Sequence, residues 1–539
     1  MLSLFSFECL FRAEVFRNGN SFELTGNRRE DEMGESSLLE MLAFAIYLCL
    51  VIGIGIYFFI KGRKQTGDKA YFLGGRAMNG WVAALSAGAS DMSAWVLMGL
   101  PGSIYLWGMG QVWISVGLLC GTVLAWIFVA PRLRRMSILA DDSITIPQFL
   151  TKRFKESNPT LQVVSAVIFA VAYCIYSASS IVACGSLFNK VFGLPSQYAM
   201  VGATLIILFY TFLGGFNAVC WTDFFQGLLM LMALMAAPIV AVVVMEQPGF
   251  MPVAPVETPE NYYNLLSSGK FDWASVKDIL SGFGWGLGYF GMPHILVRYM
   301  SIKSEKEMKK SRIIGSLWTF LILGMASIVA LVAHQYLGAS LPADDRSLVF
   351  ITMVRALFPS LLAGILLSAI LAASMSTADS QLLASSSAFS SDLYKPVFRK
   401  NASDTEMLWV GRGVVAIIAI IALFIAMSPK CAGIMALVEC AWAAFGSAFG
   451  PTIILALFWK RFTFKGAVAG VVSGFLMDAF WYMCFSGSVE SLTIFNTGLY
   501  EIIPGFIVSL IVAVVVSLID KAPSDDVAEI VDKAAKPIE

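Results

Sequence analysis

Apolar runs long enough to cross a hydrocarbon core as helices, about 20 residues each, recur along this chain from Met41 to Ile519. The pattern predicts thirteen spans, over 41–60, 80–106, 111–131, 160–188, 197–214, 222–246, 275–299, 313–338, 358–386, 408–428, 432–458, 465–486 and 500–519. Two of them are interrupted. The second carries Ser86-Ala87-Gly88-Ala89-Ser90-Asp91-Met92-Ser93-Ala94-Trp95 in its middle. The seventh carries Gly282, Gly284, Gly286, Gly288, Gly291 and Pro293, a run that cannot make an ordinary stable helix. The interval from the second span to the seventh is five, an odd number, so the broken spans run in opposite directions. That is the mark of two antiparallel five-span repeats, about 80–246 and 275–458, with spans one, twelve and thirteen peripheral.

Composition agrees with the pattern. The 539 residues are 58% hydrophobic and 14% charged, with no net charge, far from the roughly 25% charged residues of soluble domains. The fold class is an all-α polytopic membrane protein of about thirteen transmembrane helices, facing lipid. Residues 41–520 form one transmembrane domain, followed by a short charged tail, 521–539. Residues 1–40 read as a leader, disordered or upstream of a true start at Met33, without the apolar core of a signal peptide. Basic clusters follow spans one (Lys61, Arg63, Lys64, Lys69), three (Arg132 to Lys155), seven (Lys303 to Arg312), nine (Lys395, Arg399, Lys400) and eleven (Lys460, Arg461, Lys465). The positive-inside bias then predicts an outer N-terminus and a cytoplasmic C-terminus.

The nine cysteines form no C-x-x-C pair, and there are two histidines, so neither a disulfide framework nor a His-rich metal centre is expected. No Walker A motif occurs; an ion gradient or passive flow drives any transport. An acid at the bilayer midplane costs about 2.5–3.5 kcal/mol on insertion scales and is a functional candidate by default. Asp91 is the first. In span nine, Ala373, Ser376 and Thr377 share a helical face, and with loosened carbonyls of span two they can build an oxygen cage for a monovalent cation. Hydroxyls bonding back to their own helix are the plain alternative. Asp223, expected to open span six, reads as an N-cap or part of an ion path. Asp379 is expected near the cytoplasmic end of span nine, facing water.

At Gly74-Gly75-Arg76, Ser86 to Ser93, Gly99-Leu-Pro-Gly102, Trp285-Gly-Leu-Gly-Tyr289-Phe-Gly, Leu367 to Thr377 and Tyr500-Glu-Ile-Ile-Pro-Gly-Phe506 the chain resembles the sodium:solute symporter family, most closely its bacterial proline-carrying branch, over about residues 40–523. The resemblance implies a leucine-transporter-type five-plus-five inverted repeat and sodium-coupled import of L-proline across the bacterial inner membrane. It implies no enzyme activity, no organic cofactor and no nucleic-acid partner. It further implies sodium held by carbonyls of Ala89, Met92 and Ala373 and hydroxyls of Ser376 and Thr377, with Asp91 needed for sodium-coupled binding. Ser93, Ala94, Tyr176, Trp285, Tyr289 and Pro293 would contact substrate; Arg76 would stand at the cytoplasmic mouth, and Asp223 on the ion route. Two positions depart from that pattern. Ala94 stands where the proline carriers have glycine, and Asp379 replaces a neutral hydroxyl, which with Asp223 and Ser380 raises a second cation site. Another small amino acid or carboxylate such as pantothenate is the nearest alternative cargo. A passive channel and a membrane-embedded enzyme are the alternatives of other classes.

Overall fold

A computed structural model describes residues 30–62, 68–213, 215–486 and 493–537. The leader up to residue 29, and Arg63 and Lys64 of the first basic cluster, lie outside the described residues. Helices account for the architecture; among the described residues the one β-bridge joins Met78 to Ile302. In chain order the helices used below are α1 (Glu30–Gly62), α2 (Gly80–Asp91), α3 (Gly99–Trp107), α4 (Met109–Leu139), α5 (Ile146–Arg153), α6 (Thr160–Phe192), α7 (Ser196–Leu213) and α8 (Phe216–Met245). They continue as α9 (Trp273–Trp285), α10 (Pro293–Ser301), α11 (Glu305–Leu337), α12 (Val349–Leu357), α13 (Ser360–Phe398) and α14 (Asp404–Ala426). Last come α15 (Ile434–Phe458), α16 (Phe464–Cys484), α17 (Ile502–Ile519) and α18 (Asp525–Ala535).

Ten helices among the described residues are long and apolar enough to cross a membrane. The rest of the expected thirteen are α7, whose apolar stretch is shorter, and the two interrupted pairs α2–α3 and α9–α10, so length and hydropathy alone do not reach that number. Large apolar side chains such as Leu50, Phe209, Met232, Phe424 and Ile511 are exposed. Such a surface suits lipid and would aggregate in water.

The packing repeats itself across the two halves. α2 lies on α11 as α9 lies on α4, and α6 packs on α15 as α13 packs on α8. α6 and α13, the corresponding members of each half, pack on one another. Glycines set the closest of these approaches. A methyl on Gly121 of α4 would stand 2.7 Å from the Gly286 carbonyl carbon, and one on Gly282 would stand 2.6 Å from the Trp113 backbone. In the other half, a methyl on Gly88 of α2 would stand 2.6 Å from the Trp318 ring of α11. The second broken segment is therefore held at backbone distance by its neighbour and the first against an indole ring, as small residues allow in membranes.

Several basic clusters meet at one end of the bundle. Arg134 donates to the carbonyls of Ile302 (2.6 Å) and Lys303 (2.9 Å), and Arg135 pairs with Glu305 at 2.7 Å. Arg153 donates to the carbonyls of Ala456 (3.1 Å) and Val527 (3.0 Å), and Lys460 pairs with Asp532 at 2.7 Å. The charged tail thus forms α18, whose apolar face (Val527, Ile530, Val531, Ala534) is buried against this end. Asp223 does not open its helix: α8 starts at Phe216, and Asp223 sits two turns inside it.

Gly121→Ala should destabilise the purified protein by about 1–3 kcal/mol, the usual cost of overpacking. Gly202→Ala and Gly413→Ala, where a methyl meets no atom within 4 Å, should leave it unchanged or slightly more stable. Thermal unfolding in detergent compares the three. Equal midpoints would remove the glycine contact as a determinant of the fold.

Candidate functional site

The chemistry gathers where the two broken segments meet. α2 makes its last helical bond from the Met92 amide to the Gly88 carbonyl, 2.9 Å. The next amide, Ser93, turns to the Asp91 carbonyl at 2.9 Å instead of reaching back four residues to Ala89. Ser93 then caps a short turn, Ala94–Val96, its hydroxyl accepting from the Trp95 amide at 3.4 Å. The Ala89 carbonyl, released from its own helix, faces α13. There the Ser376 hydroxyl reaches it at 2.8 Å and the Thr377 hydroxyl at 3.5 Å. Ser376 Oγ is also 3.2 Å from the Ala373 carbonyl. A hydroxyl carries one proton and donates to one carbonyl at a time.

Ala89, Ala373, Ser376 and Thr377 are thus brought together by direct contact. Met92 follows three residues along the same break, buried at the end of α2. The donors are neutral oxygens, and among the described residues no cluster of three or more His, Cys, Asp or Glu could hold a metal ion. The set suits a hard monovalent cation that must leave again. One expectation is corrected here. α13 is not loosened at Ala373; its α-helical part runs unbroken from Ser360 to Ser387, and the Ser376 hydroxyl does bond back along it.

Asp91 is 1% exposed. The Tyr289 hydroxyl of the seventh segment donates to its Oδ2, while Oδ1 has no hydrogen-bond partner among the described residues. The Asp91 carbonyl accepts from the Tyr176 hydroxyl of α6 and from the Trp95 indole, both at 3.2 Å. Residues read separately as ion and substrate groups therefore touch. Helix α9 ends at Trp285, a tight turn spans Gly286–Phe290, and Pro293 starts α10 at the position where a missing N–H costs nothing. The rings of Trp95 and Trp285 lie 6.2 Å apart, and Trp285 and Tyr500 5.1 Å apart. Ala94 is fully buried in the same break.

Trp442 of α15 completes the wall and was not anticipated. Its indole N–H donates to the Trp285 carbonyl at 2.7 Å, and its ring stands edge-on to Tyr289 at 5.2 Å. Gly288 lies directly against it; a side chain there would run into the indole. The signal in the sequence was its place in span eleven, within the repeat of the second broken helix, diluted among forty phenylalanines and thirteen tryptophans.

The other polar candidates sit nearer the basic end. Arg76, in a left-handed conformation, pairs with Asp142 at 2.9 Å and donates to Ser137 Oγ (3.0 Å) and to the carbonyls of Met300 (2.6 Å) and Ser143 (2.8 Å). Asp379 does not face water: it is 0% exposed, because the helix that carries it runs on to Phe398. Asp223 pairs with Arg298 of α10 at 2.9 Å. Arg298 was missed, although an arginine inside an apolar span is itself the signal.

Three comparisons bear on this site. The sequence pattern of the Sodium:solute symporter family matches residues 71–474. The chain is 41% identical to the osmoregulated proline transporter OpuE of Bacillus subtilis over 488 residues, 90% of this chain and 95% of that one. It is 43% identical to a sodium/proline symporter of Staphylococcus aureus, also over 488 residues, 89% and 93% of the two chains. In structure it is similar to a substrate-bound, outward-open Na+-coupled sialic acid symporter, with a TM-score of 0.70 and 19% identity, covering 90% of this chain and 99% of that one. At that identity the likeness speaks for the fold alone.

Trp442→Phe keeps a ring against Tyr289 and leaves the Trp285 carbonyl without its donor. The expected cost is about 1–3 kcal/mol, that of orphaning a buried polar group, read as a lower unfolding midpoint. An unchanged midpoint would mean that the contact does not hold the turn.

Proposed function

The chain belongs to the sodium:solute symporter family, a family of transporters rather than enzymes, and on that premise we propose that it imports L-proline by sodium symport across the bacterial cytoplasmic membrane. Two observations carry the reading. Relatives at 41% and 43% identity over about nine-tenths of the chain are named for proline. The carbonyl released at the break of α2 is met by two hydroxyls of α13.

In this reading sodium is cargo, held by the oxygens of Ala89, Met92, Ala373, Ser376 and Thr377. No carboxylate need touch it, so the ion is bound weakly enough to be released. Asp91 supplies a nearby negative charge that lowers the cost of bringing a cation into a low-dielectric site. Its partner Tyr289 is also part of the aromatic wall, so changes on the ion side are felt by the substrate side. Trp285, Tyr289 and Trp442 offer flat faces for a pyrrolidine ring and its ammonium. The amides at the restart of a broken helix offer a site for the carboxylate without a fixed base. Ser93, Ala94, Tyr176 and Pro293 border the same space. Ala94 narrows it by one methyl relative to glycine, which makes cargo size the property to test.

The proposed topology has thirteen crossings, counting α7 and the two broken pairs. It places the basic end of the bundle in the cytoplasm and the N-terminus outside. Residues 41–520 are the transport domain and α18 belongs to the cytoplasmic tail. The contacts among the clusters after spans three, seven and eleven support a common side for these loops.

Radiolabelled proline uptake into proteoliposomes should need an inward sodium gradient and rise with an inside-negative potential. One cation moving with a neutral zwitterion is driven by about 2.3 kcal/mol per 100 mV. Equal uptake in potassium, indifferent to potential, would overturn sodium coupling, and competition by an excess of other amino acids or pantothenate tests the cargo. Ser376→Ala and Thr377→Ala should each raise the sodium concentration for half-maximal uptake about fivefold, the equivalent of roughly 1 kcal/mol per lost oxygen contact. Unchanged sodium dependence would return both hydroxyls to helix packing.

A further inference from the structure

Arg153 differs from the other cations of the basic end. It closes α5, is 0% exposed, and among the described residues no carboxylate pairs with it. Nε donates to the Ala456 carbonyl of α15 at 3.1 Å and Nη1 to the Val527 carbonyl of α18 at 3.0 Å. Nη2 is buried with no hydrogen-bond partner among the described residues. The Phe154 ring lies 5.3 Å from the guanidinium carbon and packs edge-on to Phe462. A guanidinium taken out of water to meet only neutral carbonyls keeps most of its desolvation cost. The place suits an anion, and the structure seats a helix on it instead.

That helix is held with little to spare. α18 has eleven residues, and Ser524 before it makes no side-chain cap. Helices so short are marginal in water, so α18 is helical because it is docked. Four apolar side chains hold it, Val527, Ile530, Val531 and Ala534. Arg135 adds bonds to the carbonyls of Ala534 (3.3 Å) and Ala535 (3.4 Å). Two ion pairs at its rims, Lys155–Asp526 (3.1 Å) and Lys460–Asp532 (2.7 Å), are exposed on both sides, where such pairs contribute little. Against these stand the ordering of the segment and the unpaired Arg153. A permanent cap would turn one of its acids to Arg153; those of α18 pair at the edges.

Docked, α18 ties three loops together. Arg135 of α4 also binds both carboxylate oxygens of Glu305, at the start of α11, at 2.8 and 2.7 Å. Arg153 and Lys155 follow span three, and Ala456 and Lys460 lie at the end of span eleven. Lifted, α18 would leave Arg135, Arg153, Lys155 and Lys460 uncovered. Phe458, near Lys460 in the chain, and Leu518 and Ile519, at the root of the link into α18, are exposed apolar residues, so the seat lies at the edge of the lipid-facing surface. Arginine binds phosphate oxygens through its fork, and anionic headgroups are drawn to basic pockets at the cytoplasmic ends of spans.

We propose that the seat of α18 is a binding site for the headgroup of an anionic phospholipid, and that helix and headgroup exchange there. The docked helix ties the loops after spans three, seven and eleven; the lipid, in its place, frees them. The proposal uses the topology given above and is independent of the cargo.

Hydrogen exchange of residues 525–535 in nanodiscs follows the helix directly. The loop 399–403, on the same side in that topology, corrects for the local pH of a charged surface. Relative to that loop, changing from phosphatidylcholine to an equal mixture with phosphatidylglycerol should speed exchange of 525–535 about tenfold, a shift of about 1.4 kcal/mol toward the lifted helix. Millimolar inorganic phosphate in phosphatidylcholine discs should not reproduce the change; release of equal size by soluble phosphate would overturn the lipid as occupant. In Arg153→Gln the ratio between the two lipids should fall below about threefold, whatever the starting rate. Equal exchange in both lipids for the unmodified protein, or an undiminished ratio in Arg153→Gln, would overturn the site and leave α18 a fixed cap. Should Arg153→Gln not fold, an undiminished ratio in the double variant Lys155→Gln, Lys460→Gln overturns it. Each arm is read without proline, so a failure of proline uptake would refute the cargo and leave this result standing.

Discussion

Inside a membrane, a backbone carbonyl released from its helix has to be met by another group of the protein, and this structure is organised around one such carbonyl. At Ala89 the helical ladder of α2 stops, because the Ser93 amide turns to Asp91. Water is absent from a bilayer core, so the freed oxygen would cost several kcal/mol if left alone. The Ser376 and Thr377 hydroxyls of α13 supply the partner. That one requirement fixes which helices touch. It draws α13 against α2 and brings the oxygens of Ala89, Ala373, Ser376 and Thr377 together.

The second broken segment answers the same constraint differently. The carbonyl of Trp285, at the end of α9, is met by the indole of Trp442. Glycines on both sides of the α4–α9 contact let the backbones close on each other. The first break is thus satisfied by side chains of the opposite half and the second by a helix of its own half, and the Tyr289–Asp91 bond closes the remaining gap between them. A site assembled from mutual satisfaction of this kind changes as a unit. A shift at the break of α2 reaches the rings of Tyr289 and Trp442 through that bond, without any separate linkage.

Much of this was legible from the chain because broken helices leave a strong mark. Glycine and proline at successive positions in span seven, and hydroxyls around an acid in span two, located both breaks to within a few residues. The odd interval between them gave the inverted repeat that the paired packing of α2 on α11 and α9 on α4 now displays. Roles that depend on contact were less legible. Asp223 was placed at a helix start because aspartate favours N-caps, whereas α8 begins at Phe216 and buries Asp223 inside it. Asp379 was placed in water because the apolar window ends near residue 386, while the helix itself continues as far as Phe398. Arg298 and Trp442 were passed over since their meaning lies in what they touch: a buried acid in one case, one carbonyl in the other.

The central claim is that the carbonyl–hydroxyl junction and the aromatic wall form one thermodynamic unit. Binding of labelled proline to the purified protein, with and without sodium, and of sodium with and without proline, measures this directly. If the sites are joined through Asp91 and Tyr289, sodium raises proline affinity, and proline raises sodium affinity by the same factor, as linkage demands. In Tyr289→Phe, where the ring remains and only the bond to Asp91 is lost, that common factor should fall toward one. Independent binding of the two in the unmodified protein, or an undiminished factor in Tyr289→Phe, would contradict it.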